Sequence, residues 1–433
     1  MKSNRLGVFA VAAMLVATAC TSGASPSASA PAGGTPAATA GGSAPAGALG
    51  SVTFGASDPI HIAFWGVLSG ADATLGQDAE WGMKVAIQDA GGKLLDHNVD
   101  IGTAEDGLCT PEGGATAAQK LAADKTIVAL VGPSCSDEVV GGIKAITEAG
   151  MTTISASATR PALTDPARDA SFAGFLRTAH SDAFQGKTVA EFLYNKLGFK
   201  NLVTIHDGSA YAEALTGVAA DNFTQLGGTV CGKEAVAKTD TDMKPVLTKI
   251  STECGGKAPD ALYFPIFVAG GGYVAAQVRD VSGMDKVVLI GSDGLFTPDF
   301  VKAAGPNAEG MYLSGPDFSK FDQTALAKFK DEYKTLSGGD FLSVFHAHAY
   351  DAYNIIAAAV TKVAVKGADG SLTIDRQALR DAIYATKDFK GITGTLSCSA
   401  SGDCGAPVIA IYQIDAGVVA NPTTVGNLAP IYP

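Results

Sequence analysis

Runs of basic residues are missing from this sequence. Its 433 residues carry 31 Lys plus Arg against 43 Asp plus Glu, a formal charge of −12. A phosphate backbone therefore meets no electrostatic footprint, and no nucleic-acid partner is expected. No C-x-x-C occurs and no His stands at ligand spacing from a Cys pair, so zinc has no evident home. Neither a metal nor a cofactor is expected. No complete G-x-S-x-G, H-E-x-x-H or G-x-x-x-x-G-K-[ST] pattern is present, which weighs against an enzyme. Gly270–Gly272 lies between an expected strand and an expected helix but lacks the dinucleotide fingerprint. His346 and His348 stand two apart on an expected helix and point to different faces, which fits packing or surface better than a metal.

What is present begins with an N-terminal signal. Lys2 and Arg5 precede an apolar stretch, Leu6–Ala19, too short to span a bilayer comfortably. It ends in Ala17-Thr-Ala-Cys20, small residues before a Cys that resemble the lipobox of bacterial lipoproteins. That resemblance implies a signal peptide over 1–20, acylation of Cys20, and a chain held on the extracytoplasmic face of the cell membrane. Ala17 stands where most lipoboxes have Leu, and ordinary signal-peptidase cleavage is the plainer alternative. Residues 21–50 are nearly all Ala, Ser, Gly, Pro and Thr without charge, a composition that buries no core, and a flexible linker is expected over 21–57. Setting Cys20 aside leaves Cys109, Cys135, Cys231, Cys254, Cys398 and Cys404, an even number in an oxidising location. Six cysteines allow fifteen pairings, and local order suggests 109–135, 231–254 and 398–404.

From Asp58 onward short apolar runs alternate with amphipathic stretches. Strands are expected at 61–67, 99–103, 127–131 and 152–155, and helices at 78–90, 113–123 and 139–149, the first of these stopped by Gly91-Gly92. The pattern then restarts. Helices are expected at 184–197, 210–226, 243–250 and 272–281, with strands at 201–205, 261–264 and 287–290. Two such β-α-β series predict an α/β protein of two doubly wound, Rossmann-like lobes, with ligand-binding loops at the carboxyl ends of the strands.

Several segments in order resemble the leucine/isoleucine/valine-binding proteins, the type I periplasmic substrate-binding proteins of ABC amino-acid importers. They are Phe64-Trp-Gly-Val-Leu-Ser-Gly70 followed by Gly76, Glu105-Asp-Gly-Leu-Cys109, Gly132-Pro-Ser-Cys135-Ser136, and Ile154-Ser-Ala-Ser-Ala-Thr159-Arg-Pro-Ala-Leu-Thr164. Further on come His206-Asp207 before Tyr211, and Gly291-Ser-Asp293-Gly294. The resemblance spans about 58–415. It implies three crossovers between lobes, with lobe 1 over 58–180 plus 317–405 and lobe 2 over 181–316 plus 406–433. It also implies a disulfide joining the Cys109 and Cys135 segments, a monomer, and ABC permease subunits as partners. The implied task is capture of an amino acid, branched-chain or otherwise apolar, between the lobes.

The chemistry of an α-amino acid then sorts the candidates. A buried zwitterion needs donors for its carboxylate and acceptors for its ammonium. Ser136, beside a helix N-terminus, suits the carboxylate, and by resemblance binds it. Ser157, Ala158 and Thr159 match the loop that holds the ligand head, with the Ser157 carbonyl accepting from the ammonium. Asp293 matches an acidic residue, Glu in the family, that pairs with the ammonium from the opposite lobe. Tyr211 matches a cleft tyrosine. Leu75, Trp65 and Phe267 are the candidates for the side-chain pocket. Plainer roles stand beside these: a helix cap for Ser136, turn chemistry for Thr159 and Asp293, and core packing for Tyr211. An amide, urea or aromatic acid would also suit an apolar pocket, and the same fold can serve as a ligand sensor.

Overall fold

The computed structural model describes residues 47–433. The signal peptide, Cys20 and the linker as far as residue 46 lie outside the described residues. The first described strand, β1 (Ser51–Phe54), falls inside the stretch assigned to the linker. Val52 and Phe54 alternate inward with Ser51 and Thr53 outward, the period of a half-buried strand.

The first lobe is built on a parallel sheet. Its strands are β2 (Ile60–Gly66), β3 (Lys93–Leu94), β4 (His97–Asp100), β5 (Glu105–Asp106), β6 (Ile127–Val131), β7 (Thr153–Ser155) and β8 (Phe175–Arg177). The spatial order is β3-β4-β2-β6-β7-β8, with β5 beside the end of β2 and only the short β3 antiparallel. β6 reads Ile-Val-Ala-Leu-Val and is buried throughout, as a strand covered on both faces must be. The covering helices are α1 (Ala73–Asp89), α2 (Pro111–Ala123) and α3 (Ser136–Glu148). Thr110 caps α2 through its hydroxyl, with Pro111 in the first turn. Gly91 and Gly92 follow α1 at φ 69° and 73°, which frees the chain to leave the helix.

The second lobe repeats the plan. α4 (Asp182–Glu191) leads to β9 (Asn201–His206), α5 (Ala210–Gln225), β10 (Thr229–Ala235), α6 (Lys244–Ile250), β11 (Ala261–Tyr263), α7 (Val268–Gln277), β12 (Val288–Gly291), α8 (Pro298–Ala304) and β13 (Tyr312–Pro316). The chain then returns to the first lobe. There α9 (Gln323–Ser337) and α10 (His346–Val363) pack on α1, followed by β14 (Val365–Lys366), β15 (Leu372–Asp375), α11 (Arg376–Tyr384) and the hairpin β16 (Phe389–Gly391) with β17 (Gly394–Leu396). β1 joins β15 and β14 in a small antiparallel sheet. Finally β18 (Ile409–Gln413) pairs antiparallel with β13, and α12 (Ala416–Ala420) and a 3-10 turn over Pro422–Asn427 follow it on the second lobe, where Tyr432 bridges back to Ile411; the sheet runs β10-β9-β11-β12-β13-β18.

Two helices differ from their sequence reading for tertiary reasons. Gly270–Gly272 lies inside α7, not ahead of it. A Cβ on Gly271 would stand 2.5 Å from Leu295 and one on Gly272 2.7 Å from the Ala303 methyl, so the glycines let α7 settle onto its neighbours. α1 likewise begins earlier than the periodicity predicts, and Gly82 within it lets the His346 carbonyl of α10 approach to 2.0 Å of where a Cβ would sit. His346 and His348 are both buried. The His346 backbone N–H and Nδ1 each lie 3.0 Å from Asp78 Oδ2, so this histidine serves packing between α1 and α10.

The disulfides are Cys109–Cys135, Cys231–Cys254 and Cys398–Cys404. Each joins near neighbours in sequence, as local order suggests.

Candidate functional site

The carboxyl ends of both sheets face one another, and a small hollow lies between them. Leu75 follows β2, Ser134, Cys135 and Ser136 follow β6, and Ser157 follows β7. From the second lobe come Tyr211 after β9, Phe267 after β11, and Asp293 with Gly294 after β12; Phe345 precedes α10. These ten residues leave a hollow of about 10 Å³, far below the ~300–1,000 Å³ common for drug-sized ligands and close to the room for one water. A solute of amino-acid size therefore needs the lobes to part.

One wall is a cluster of serines at the start of α3. The cap of that helix is Cys135, so Ser136 is its first helical residue rather than its cap. Ser136 Oγ accepts from the Arg160 N–H at 3.2 Å, which leaves its own O–H to donate. Ser157 Oγ donates to the Ser134 carbonyl at 2.8 Å, and Ser134 Oγ accepts from Val67 N–H at 3.2 Å. First-turn amides of a helix have no intrahelical acceptor and favour an anion.

Asp137 and Glu138 follow in the same turn, and their charge would oppose an anion. The structure draws both away. Asp137 Oδ2 lies 3.0 Å from Lys238 Nζ, and Oδ1 accepts from Ala210 N–H at 2.8 Å. Glu138 is fully buried and accepts from the amides of Cys109, Ser134 and Cys135 at 3.1, 2.8 and 2.9 Å. Burial pushes its carboxyl up to about 7 against the pull of those three amides.

The opposite wall is acidic. Asp293 Oδ1 accepts from Tyr211 O–H at 2.8 Å and from Gln185 Nε2 at 2.6 Å. Both bonds go to Oδ1, which leaves Oδ2 free to accept from a ligand. Behind it Asp182 is buried without a hydrogen-bond partner for either oxygen. Burial, then the Asp293 carboxylate, push Asp182 well above the usual carboxylate range. The Tyr211 hydroxyl is raised in turn by burial and by Asp293. The remaining wall is apolar: Leu75, Phe345, and Phe267, whose ring centre lies 5.3 Å from that of Tyr211.

Six sequence candidates therefore meet at one hollow: Leu75, Ser136, Ser157, Tyr211, Phe267 and Asp293. Trp65 does not reach it. Alternation along β2 turns its indole to the other side of the sheet, among Ala118, Val139 and Ile143. Ala158 and Thr159 stand on the same loop as Ser157 but set back from the lining; the Thr159 hydroxyl is buried without a partner. Phe345, Gln185 and Asp182 escaped sequence reading, because only the fold brings α4 and the start of α10 to the cleft. Ser134 and Cys135 lie within the Gly132–Ser136 segment, where neighbourhood to Ser136 was the available signal. Among the described residues no group of three or more His, Cys, Asp or Glu could hold a metal ion, and no helix is long and apolar enough to cross a membrane.

Comparison with known proteins agrees with this geometry. The family model described as periplasmic binding protein matches residues 59–417. The Leu/Ile/Val-binding protein homolog 3 of Brucella melitensis is 26% identical over 357 residues, 81% of this chain and 90% of its own length. A branched-chain amino acid transporter substrate binding protein from Streptococcus pneumoniae, solved in complex with isoleucine, superposes with a TM-score of 0.71 at 25% identity, covering 87% of this chain and all of the other. An ABC transporter solute binding protein from Rhodopseudomonas palustris, solved with benzoate, shares the fold at 21% identity and a TM-score of 0.70 over 83% of this chain and 94% of its own. With two doubly wound lobes, a hollow between their strand ends, and a family match over most of its length, the chain belongs to the periplasmic binding protein family, with Leu/Ile/Val-binding proteins among its relatives.

Proposed function

We propose that this chain is the extracytoplasmic substrate-binding component of an ABC importer and captures a small apolar α-amino acid between its lobes. The observation that carries the reading is the polarity of the hollow. Serine hydroxyl and helix-terminal donors on one wall suit a carboxylate, the Asp293 oxygen on the other suits an ammonium, and Leu75, Phe267 and Phe345 between them suit an apolar side chain. Charge-assisted contacts shielded from water are the strong ones. Relatives named for leucine, isoleucine and valine support the same class. The lobes would hinge about the crossovers and trap the solute, and the closed form would dock on the permease.

A thermal-shift screen tests this on protein stripped of carried-over solute. A ligand at 100 times its Kd adds about 2.7 kcal/mol of stability. The expected result is a clear shift with Leu, Ile, Val or Phe and none with urea. Shifts confined to amides or aromatic acids such as benzoate would keep the transport role and overturn the zwitterion site.

The reading includes a tether through Cys20. Intact-mass analysis of membrane-extracted protein should find an acylated Cys20 at the mature N-terminus, and Cys20→Ala should move the protein to the soluble fraction. An unmodified N-terminus at another residue would remove the anchor.

A further inference from the structure

The hollow is not the only place where the lobes meet. Lys238 lies in the loop between β10 and α6 of the second lobe, and its ammonium crosses to the first. It lies 3.0 Å from Asp137 Oδ2 and donates to the Cys109 carbonyl at 3.1 Å. Asp137 in turn takes the Ala210 N–H at the start of α5, again across the cleft. One carboxylate on the first lobe thus binds two groups of the second, and one lysine on the second binds two segments of the first. Those two segments are the pair that the Cys109–Cys135 disulfide ties together.

The surrounding charge makes this contact matter. Asp72 on the first lobe faces Asp207 and the α7 amides of Val268 and Ala269 on the second. Burial and the Asp207 charge raise its carboxyl to about 6, while Lys238 acts in the opposite direction. Asp72 thus feels the Asp207 carboxylate and the Lys238 ammonium with opposite effect at the lip of the cleft. Lys238 also lies 5.9 Å from the ring centre of Phe267, a wall of the hollow. The latch and the ligand wall are neighbours.

We propose that Lys238 is a positioning residue that latches the closed cleft: bound to Asp137 and the Cys109 carbonyl, it neutralises the acidic lip and slows escape of the solute without touching it. This rests on the reading of the hollow as the solute site. An ion pair that forms only on closure adds to the barrier for opening, so its loss falls on dissociation rather than association.

The test compares Lys238→Met, Lys238→Arg and Lys244→Met with the parent protein. Lys244 pairs with Asp280 inside the second lobe and controls for loss of a charge. With L-leucine as probe, stopped-flow fluorescence should show Lys238→Met dissociating about tenfold faster with little change in association. The parent's dissociation should accelerate with salt more than the variant's. Lys238→Arg should recover most of the loss and Lys244→Met should match the parent. An unchanged dissociation rate in Lys238→Met overturns the latch. If the parent does not bind L-leucine, the solute reading fails for that ligand, and the latch is judged by spin labels placed one per lobe in the ligand-free chain. A smaller short-distance population in Lys238→Met than in the parent supports it, and identical distributions overturn it.

Discussion

Asp293→Ala is expected to weaken capture of an α-amino acid by about 100-fold, since it deletes one partner of a shielded charge pair. The loss should fall on binding and not on folding. Tyr211 O–H keeps Ser292 Oγ at 2.6 Å, and Gln185 Nε2 keeps Ser314 Oγ at 2.9 Å. Removing the Asp293 charge also relieves the repulsion on Asp182. Isothermal titration alongside urea unfolding separates the two effects. Asp293→Glu keeps the charge on a side chain one methylene longer and should retain much of the affinity. Equal affinity in the parent and Asp293→Ala would remove this carboxylate from the site.

Arg177→Met is expected to act in the opposite sense, on the fold first and on binding through it. Arg177 is fully buried. Its guanidinium bonds Asp403 through Nε at 3.1 Å and Nη2 at 3.0 Å, donates to Thr164 Oγ1 at 2.7 Å, and donates to the Ala158 and Arg160 carbonyls at 3.3 and 2.9 Å. The Cys398–Cys404 disulfide closes the loop that carries Asp403. This one side chain therefore ties β8, the loop after β7 and the crossover before β18. Removing one partner of a fully buried pair costs about 3–5 kcal/mol; Asp403 keeps 30% of its side chain exposed, so the expected cost is about 3 kcal/mol, most of it from the buried carbonyls and Thr164 left unpaired. The urea midpoint should fall accordingly, and affinity with it, because the loop bearing Ser157 loses its anchor. A cost below about 1 kcal/mol would mean that water replaces the guanidinium at little loss.

Much of the fold was legible because local signals agreed with tertiary fate. The run Ile127–Val131 has the continuous apolarity of a covered strand, and it is β6 with those bounds. Ala210–Gln225 follows Ser209, whose hydroxyl caps it, and ends before Gly227. The failures have a common origin in distant partners. β1 is four residues whose strand identity comes from pairing with Leu372–Asp375, far along the chain, so composition alone placed it in the linker. Gly270–Gly272 reads as the step from a strand to a helix, yet it lies inside α7, where Leu295 and Ala303 leave no room for a Cβ on Gly271 or Gly272. The site divides the same way. Ser136, Ser157, Tyr211 and Asp293 sit at strand ends, where family segments could be matched. Phe345 and Gln185 arrive from elements whose route back to the cleft no local motif records. Trp65 stood beside the matched residues but faces the other side of its sheet.

The account stands most directly on the hollow recognising both ends of a zwitterion. Isothermal titration of stripped protein with L-leucine, 4-methylpentanoate and 3-methylbutylamine measures this, because the three share a branched side chain and differ in their charged groups. The account predicts that L-leucine binds and that losing either the ammonium or the carboxylate weakens binding by about 100-fold or more. Binding of 4-methylpentanoate as tight as that of L-leucine would contradict it, and would make this an acid-binding protein on the same fold.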